Sequence, residues 1–547
     1  MKIQIDAVTL TPEENEDYLG ALRLLLVSRY KLNEDVDFTV LRRSLDARKK
    51  SRIHYRFRVL AELDNGTAQR LIKAFPEVTE YREAAADNEK MPGKTQGFRV
   101  CIVGSGPAGL FCGLRLAEAG CRVMIIERGK EVSGRLADIE LLEEKGLLNE
   151  ESNVLFGEGG AGTYSDGKLT SRSSRPETSW FFRKLIEHGA PGEVLFDAKP
   201  HIGTDRLAAI VKNIRSRLTD IGAEFRFGVK VDDIVTAGGN VRGVKISTGE
   251  EIPADAVVLA AGHSARDTYE LLAKRGVPLE AKGFAAGVRV EHPAEFINFI
   301  QYGKEALKGV LPQAEYFLAW NNRSSGLGVY SFCMCPGGAV INSSSEQGML
   351  CTNGMSCSAR NGMFSNAALV VTVAPSVFGY DPMKGIAFQR RIEEAAFREG
   401  GGGFMAPAQR LNSFLKGKSD DYLPASSYRP GIVPGNAERY LPEWIVEELK
   451  QGLRSFDNKM KGFAGPEGVL IGAETRTSSP VRILRGGDMQ STGLSGLYPA
   501  GEGSGYAGGI VSSAVDGIRV ADAIIEKNSG LSGHDFEQQN YIDGEKK

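Results

Sequence analysis

Residues 99–127, Arg-Val-Cys-Ile-Val-Gly-Ser-Gly-Pro-Ala-Gly-Leu-Phe-Cys-Gly-Leu-Arg-Leu-Ala-Glu-Ala-Gly-Cys-Arg-Val-Met-Ile-Ile-Glu, decide how this chain is read. Arg99–Val103 is a short apolar run suited to a buried strand, Leu110–Ala119 reads as an apolar helix, and Arg122–Ile126 is a second strand closing on Glu127. Between the first strand and the helix stand Gly104-Ser105-Gly106-Pro107-Ala108-Gly109. Gly104 serves the tight turn, Gly106 lets the backbone approach a pyrophosphate, and Gly109 lets helix pack closely on strand. The helix N-terminus offers N–H groups and a positive dipole end to phosphates. Glu127, 18 residues past Gly109, is placed to accept both ribose hydroxyls, with Arg128 beside it. Strand, glycines, helix, strand and acid in that order predict a dinucleotide site. The same carboxylate would repel a 2′-phosphate, which makes NADP a poor fit. Losing its two ribose contacts in Glu127→Ala should weaken ligand retention by about 2–3 kcal/mol.

A second glycine-rich turn lies hundreds of residues away. Leu497–Ala500 reads as a strand, followed by Gly501-Glu502-Gly503-Ser504-Gly505-Tyr506-Ala507-Gly508-Gly509 and a helix over Ile510–Ile525. It would bring another helix N-terminus to the same ligand, where its dipole suits the negative charge of a reduced flavin. Ala256-Val257-Val258-Leu259-Ala260-Ala261-Gly262 is a further buried strand ending on small residues. Together these resemble the FAD-binding fold of glutathione-reductase-like flavoproteins over about Arg99 to Glu526, apart from an inserted middle. The resemblance implies that Glu502 bonds the ribityl chain, that Gly508, Gly509 and Ile510 meet the pyrimidine edge, that Ala261 and Gly262 turn near the cofactor, and that Val231 offers its backbone to adenine. Gly159-Gly160-Ala161-Gly162-Thr163-Tyr164-Ser165-Asp166-Gly167-Lys168-Leu169, Cys335-Pro336-Gly337-Gly338, Asn353-Gly354-Met355-Ser356 and Glu474-Thr475-Arg476-Thr477-Ser478-Ser479-Pro480 narrow it. This set is similar to the bacterial FAD-dependent dehydrogenases of uncharacterised function, and implies FAD binding and an oxidoreductase; noncovalent binding is expected because both glycine-rich turns converge on one ligand and no flavin-linking histidine or cysteine context stands out.

Working outward, Lys2–Leu10 alternates like a strand, and Pro12–Tyr30 has helical spacing with Tyr18, Leu22, Leu25 and Leu26 on one face. Phe38–Leu45 and Ile53–Leu63 read as strands, Ala68–Phe75 as a helix and Val78–Tyr81 as a last strand. That βαββαβ order is ferredoxin-like. Ala86–Gly97 reads as a linker. The expected fold class is α/β: a ferredoxin-like α+β domain over residues 1–96, a discontinuous Rossmann-like FAD-binding domain over 97–282 and 464–547, and a mixed α+β substrate domain inserted over 283–463.

Composition sets the outer bounds. The 547 residues carry 66 glycines, well above the typical ~7%, which points to many tight turns and close approaches to a ligand. A net charge of −2 supplies no global attraction for nucleic acid or an anionic membrane. No apolar run approaches the ~20 residues of a spanning helix. Seven cysteines and no leader-like start predict a cytoplasmic protein with reduced thiols. Arg42, Arg43, Arg48, Lys49, Lys50, Arg52, Arg56 and Arg58 cluster in the first domain. They read either as a solvated hairpin balanced by Glu13–Asp17, the favoured reading, or as the footprint of an RNA-binding or RNA-modifying flavoprotein.

Other motifs carry less. Gly157–Gly162 repeats GxGxxG but leads into turn residues, so it reads as a loop packing on the flavin through Gly160. Cys333, Cys335, Cys351 and Cys357 fit no zinc or cluster spacing, and no metal is expected. Cys333 and Cys335 would share a sheet face as small buried residues, with one thiol near the flavin at most. His201 reads as a structural loop residue before a helix near Arg206, capped by Thr204 or Asp205. The chemistry is expected where the chain returns from the insertion: Arg476 to bind a substrate carboxylate or phosphate with two parallel bonds, with Glu474 beside it and Lys168 approaching from the other side. The alternative is that Glu474 and Arg476 pair across the junction. The expected partners are a small-molecule substrate and a transient NAD(P)H or protein electron donor.

Overall fold

Arg99–Val103 is the middle strand of a five-stranded sheet ordered Leu497–Pro499, Ala256–Leu259, Arg99–Val103, Arg122–Glu127, Glu224–Phe227. All four pairings are parallel. Both faces are covered, which is why these strands read as continuous apolar runs rather than alternating ones. The sequence after Gly104 becomes the helix Pro107–Glu118. A side chain on Gly109 would begin 2.0 Å from the Gly104 carbonyl, so only glycine closes that turn. The C-terminal helix Ile510–Asn528 packs on this first helix at Gly517, whose bare face meets the Ala108 carbonyl. The computed structural model describes residues 1–82, 95–170 and 175–529. Most of the expected linker Ala86–Gly97 therefore lies outside the described residues.

Between the two halves of the parallel sheet runs a seven-stranded sheet: Ala319–Asn321, Gly328–Cys335, Phe364–Val373, Phe284–Pro293, Val469–Glu474, Ala406–Arg410, Ile432–Pro434. Its core joins Val288, Val290, Leu369 and Val371 to Leu449, Leu453 and Phe456 of the helix Glu443–Lys459. Val469–Glu474 and the segment after it carry the chain back toward the parallel sheet.

The first eighty residues form a four-stranded antiparallel sheet ordered Phe38–Asp46, His54–Glu62, Lys2–Leu10, Val78–Glu80. Its helices are Tyr18–Tyr30 and Asn65–Ala74. The first starts later than the expected Pro12, because Asp17 caps it by accepting the Gly20 N–H at 3.1 Å. The second starts earlier than Ala68, because Asp64 accepts the Thr67 N–H at 2.9 Å.

The basic cluster does not balance Glu13–Asp17 as expected. Arg48 pairs with Asp46, Arg58 with Asp6, and Arg43 with Asp197 of the parallel-sheet unit, at 2.7 and 2.9 Å. The Arg43 guanidinium also lies over Tyr18 and Phe196, and its backbone exchanges hydrogen bonds with Phe196 and Ala198. This residue pins one unit to the other. Arg43→Ala should cost about 1–3 kcal/mol at that seam, and limited proteolysis should then release the N-terminal unit faster while cofactor content stays unchanged. Equal cleavage rates would assign the seam to the backbone bridge instead.

Candidate active site

A cavity of about 670 Å³ opens at the C-terminal ends of the parallel strands, where nucleotide-binding α/β sheets hold their ligands. Gly104, Gly106, Pro107, Ala108, Glu127, Arg128, Gly160, Val231, Ala261, Gly262, Gly501, Glu502, Gly508, Gly509 and Ile510 all line it. Ser105 and Gly109 stand behind its wall. Helices starting at Pro107 and Ile510 both reach it without a side-chain cap, which leaves first-turn N–H groups for a ligand. A side chain begun at Gly262, Gly508 or Gly509 would meet no protein atom within 4 Å. The chain has kept that volume clear, as a dinucleotide cradle requires.

Glu127 departs from its expected role. Its Oε2 accepts the Ser105 N–H and Oγ–H at 2.9 and 2.8 Å, and its Oε1 accepts the Gly129 and Gly157 N–H groups at 3.0 Å each. Its roughly four acceptor positions are filled from within the protein. The carboxylate ties together the first glycine turn and the Gly157 loop rather than standing open for two ribose hydroxyls. That loop has no helix of its own beyond the short turn Gly160–Tyr164, and Gly160 lies against Gly106. Glu502 is pushed up to about 7 by burial, against the opposing pull of Lys282 and the Gly509 N–H.

Beyond the glycine turns the cavity is walled by Lys168, His263, Phe332, Cys333, Asn353, Glu474 and Arg476. Neither Glu474 nor Arg476 pairs with the other. Arg289 donates to both Glu474 oxygens at 3.0 and 2.9 Å. Arg476 spends its fork on Glu393, at 3.0 and 2.9 Å, and its remaining nitrogen on Ser345 Oγ at 2.6 Å. The expected two-bond grip on a substrate is thus already occupied. Arg266 holds the same Glu393 carboxylate from the other side, at 2.9 and 2.8 Å. Lys168 donates to Asp166 at 2.8 Å and to the Met334 carbonyl. Burial opposes ionisation of Asp166, but Lys168 and Arg360 outweigh it and bring the carboxyl down to about 2. His263 is driven down to about 3 by burial, helped by Arg476 and Arg266, and its neutral ring donates Nε2–H to the Arg476 carbonyl at 2.8 Å.

His201 lies off the cavity, with Nε2 3.1 Å from the Ser358 carbonyl. The expected caps after it are absent. Gly203 precedes the helix Thr204–Asp220, Thr204 Oγ1 donates to the Thr163 carbonyl, and Asp205 accepts from Ser358. Tertiary contacts take both polar groups. Among the described residues, no group of three His, Cys, Asp or Glu side chains could hold a metal ion. Asp166, Arg266, Arg289, Arg360 and Glu393 escaped the sequence reading. Arg289 left a signal, a charge within the apolar run Phe284–Val290 that a buried strand must pair.

Comparison with known proteins fits this architecture. A family model described as "FAD-dependent protein, C-terminal domain-like" matches residues 283–477, and one for an NAD(P)-binding Rossmann-like domain matches 102–158. A domain of unknown function matches residues 2–62. An uncharacterised protein of Clostridium beijerinckii is 42% identical over 539 residues, covering 96% of this chain and 99% of its own. The chain belongs to this family of FAD-dependent proteins. FAD is its cofactor, and its class is that of the flavoprotein oxidoreductases. A Streptomyces rimosus 6-methylpretetramide 4-monooxygenase is 32% identical over 168 residues, 30% of this chain and 38% of its own. Among solved structures, CtdE in complex with FAD overlays with a TM-score of 0.33 at 11% identity, covering 79% of this chain and 88% of that one. Glycine oxidase from Geobacillus kaustophilus overlays at 0.32 and 15%, covering 79% and 95%. Among the described residues, no helix is long and apolar enough to cross a membrane.

Proposed function

We propose that the chain is a cytoplasmic FAD-dependent dehydrogenase or reductase whose small-molecule substrate occupies the part of the cavity walled by Lys168, Cys333, Glu474 and Arg476. The observation that carries this reading is that two glycine turns some 400 residues apart in sequence open on one cavity that continues into a charged, buried wall. Gly104–Gly109 would take the pyrophosphate on a turn that Glu127 holds in place, Arg128 would stand on the ribose side, Val231 would meet the adenine, Ala261, Gly262 and Glu502 the ribityl region, and Gly508–Ile510 the flavin edge. Gly160 closes over Gly106. Bound FAD supplies two-electron redox chemistry. Lys168 offers the substrate a positive charge, while Arg476 and Glu474 shape the wall through their own ion pairs and act as positioning residues. The same reading takes residues 1–96 as a ferredoxin-like domain and 283–463 as the substrate domain set into a glutathione-reductase-like FAD-binding fold, with NAD(P)H or a protein as transient electron donor. Arg43, Arg48 and Arg58 of the basic cluster are taken up by Asp197, Asp46 and Asp6, which leaves fewer of its charges for an RNA partner.

Gly508→Val tests the cradle. Gly508 has no left-handed φ, and a side chain there meets nothing of the protein. The variant should fold, melt like wild-type protein stripped of FAD, and bind FAD at least tenfold more weakly, about 1.4 kcal/mol. Undiminished FAD content would place the flavin elsewhere. Anaerobic bleaching of the flavin by NADH or NADPH then identifies the donor.

A further inference from the structure

We propose that Cys333 and Cys335 form a redox-active dithiol in the cavity wall, which exchanges two electrons with a small disulfide or dithiol. The proposal rests on reading this cavity as the redox site and names its substrate class.

Geometry carries it. Two residues along a strand span about 6.6 Å, the outer edge of the roughly 4.4–6.8 Å that a disulfide tolerates between Cα atoms. Here the strand is not regular. Pairing with Phe364–Val373 slips between Phe332 and Cys335, and Cys333 takes a left-handed φ of +42°, a conformation that non-glycine residues adopt at a cost and often at functional sites. The bulge corrects the expectation of two thiols on one plain sheet face: the Cys335 thiol turns back along the chain and donates to the Cys333 carbonyl at 3.3 Å, holding the two residues together. Their environments then differ. Cys333 is partly exposed and lines the cavity, whereas Cys335 is fully buried. An outer thiol with a buried partner is the arrangement of an attacking and a resolving cysteine.

Charge supports the same order. The groups facing Cys333 are Cys335, Lys168, Arg289, Asp166, Glu474 and Glu502. The neighbouring Cys335 thiol outweighs burial, Lys168 and Arg289 add to it, and Cys333 is held below the ordinary thiol range despite the carboxylates. Cys335 moves the opposite way, raised by the neighbouring Cys333 and by burial. Arg289 also donates to the Cys333 carbonyl at 2.7 Å and reaches Cys335 Sγ at 3.4 Å, fixing the pair.

The step balances. The Cys333 thiolate attacks one sulfur of RS–SR, a Cys333–SR bond forms, the S–S bond breaks and RS⁻ leaves. Cys335 then gives up its proton to that thiolate, and its sulfur attacks Cys333 Sγ and displaces the second RS⁻, which takes a proton from water. The substrate gains two electrons and becomes two thiols, and the dithiol becomes the Cys333–Cys335 disulfide. A reducing dithiol drives the reverse.

The test uses full-length protein with its FAD, reduced, then equilibrated with glutathione and glutathione disulfide at stepped ratios, quenched in acid, alkylated and read by peptide mass spectrometry. The peptide holding both residues should pass from doubly alkylated to internally disulfide-bonded, two hydrogens lighter than the unalkylated dithiol, while Cys101, Cys112 and Cys121 stay reduced. Cys335→Ser should stop at the glutathione adduct of Cys333, and Cys333→Ser should leave the peptide unoxidised. Alkylation of Cys333 by iodoacetamide should be at least tenfold faster at pH 6.5 than that of the exposed Cys357, whose thiol burial raises. A wild-type peptide that stays doubly alkylated at every ratio, or equal rates at Cys333 and Cys357, overturns the proposal without needing either variant. Flavin absorbance of the same samples is scored separately, so loss of the FAD reading and loss of the dithiol are distinct results.

Discussion

Glu127→Ala should purify largely free of FAD and should melt below wild-type protein that has itself been stripped of FAD. The comparison with stripped protein is the point. Were the carboxylate chiefly a ribose acceptor, its loss would weaken binding and leave the empty fold alone. Its four protein partners say otherwise: Ser105 N–H, Ser105 Oγ–H, Gly129 N–H and Gly157 N–H all converge on it in the interior. Alanine leaves these donors unsatisfied. Each charge-assisted bond is worth about 1.5–3 kcal/mol alone, but bonds to one group do not add, so a loss on the order of 3–5 kcal/mol is expected. Glu127→Gln keeps one acceptor oxygen and should lose about half of that. Denaturant titration of the three proteins without FAD measures it. An alanine variant as stable as stripped wild type would return Glu127 to the role of ribose acceptor.

The same residue shows what was legible in the sequence. Gly104, Gly106, Gly109 and Glu127 are readable because a pyrophosphate turn needs them at fixed spacing along a short stretch. So is the C-terminal turn at Gly501–Gly509, since a strand, a glycine run and an apolar helix leave a local pattern. The charged wall is different. Arg476 was singled out, but its partner Glu393 lies in the helix Pro382–Glu399, more than eighty residues away, and reads there as one more charge on an amphipathic face. Arg289 meets Glu474 only once the strands of the seven-stranded sheet have assembled, and Asp166 and Arg360 pair only once that sheet has folded against the parallel-sheet unit. Local spacing encodes backbone turns, and pairing across elements is a property of topology. Cys333 falls between the two cases. Its spacing from Cys335 was visible, but the bulge that changes its meaning follows from a register slip against a strand some thirty residues on.

Glu393→Ala should be the most damaging substitution in the charged wall, and more damaging than Arg476→Ala. Glu393 is completely buried and accepts from Arg266, Arg476 and Thr475 at once. Removing it leaves two guanidiniums facing each other in the interior, with Glu346 at the rim as their remaining carboxylate among the described residues. Stranding a buried charge in this way costs about 3–5 kcal/mol. Arg476→Ala is the milder change, because Glu393 keeps both bonds to Arg266, and about 1–3 kcal/mol is expected. It is still not silent, as it would be if Arg476 stood free to bind substrate. Thermal melting and FAD content of the two variants give the ranking. Glu393→Ala should unfold earlier and lose FAD, whereas Arg476→Ala should melt modestly lower and keep its flavin. An Arg476→Ala protein with unchanged melting and FAD content but slowed flavin reduction would instead assign that side chain to the substrate, and the Glu393 pair would then be a rest state that the substrate breaks.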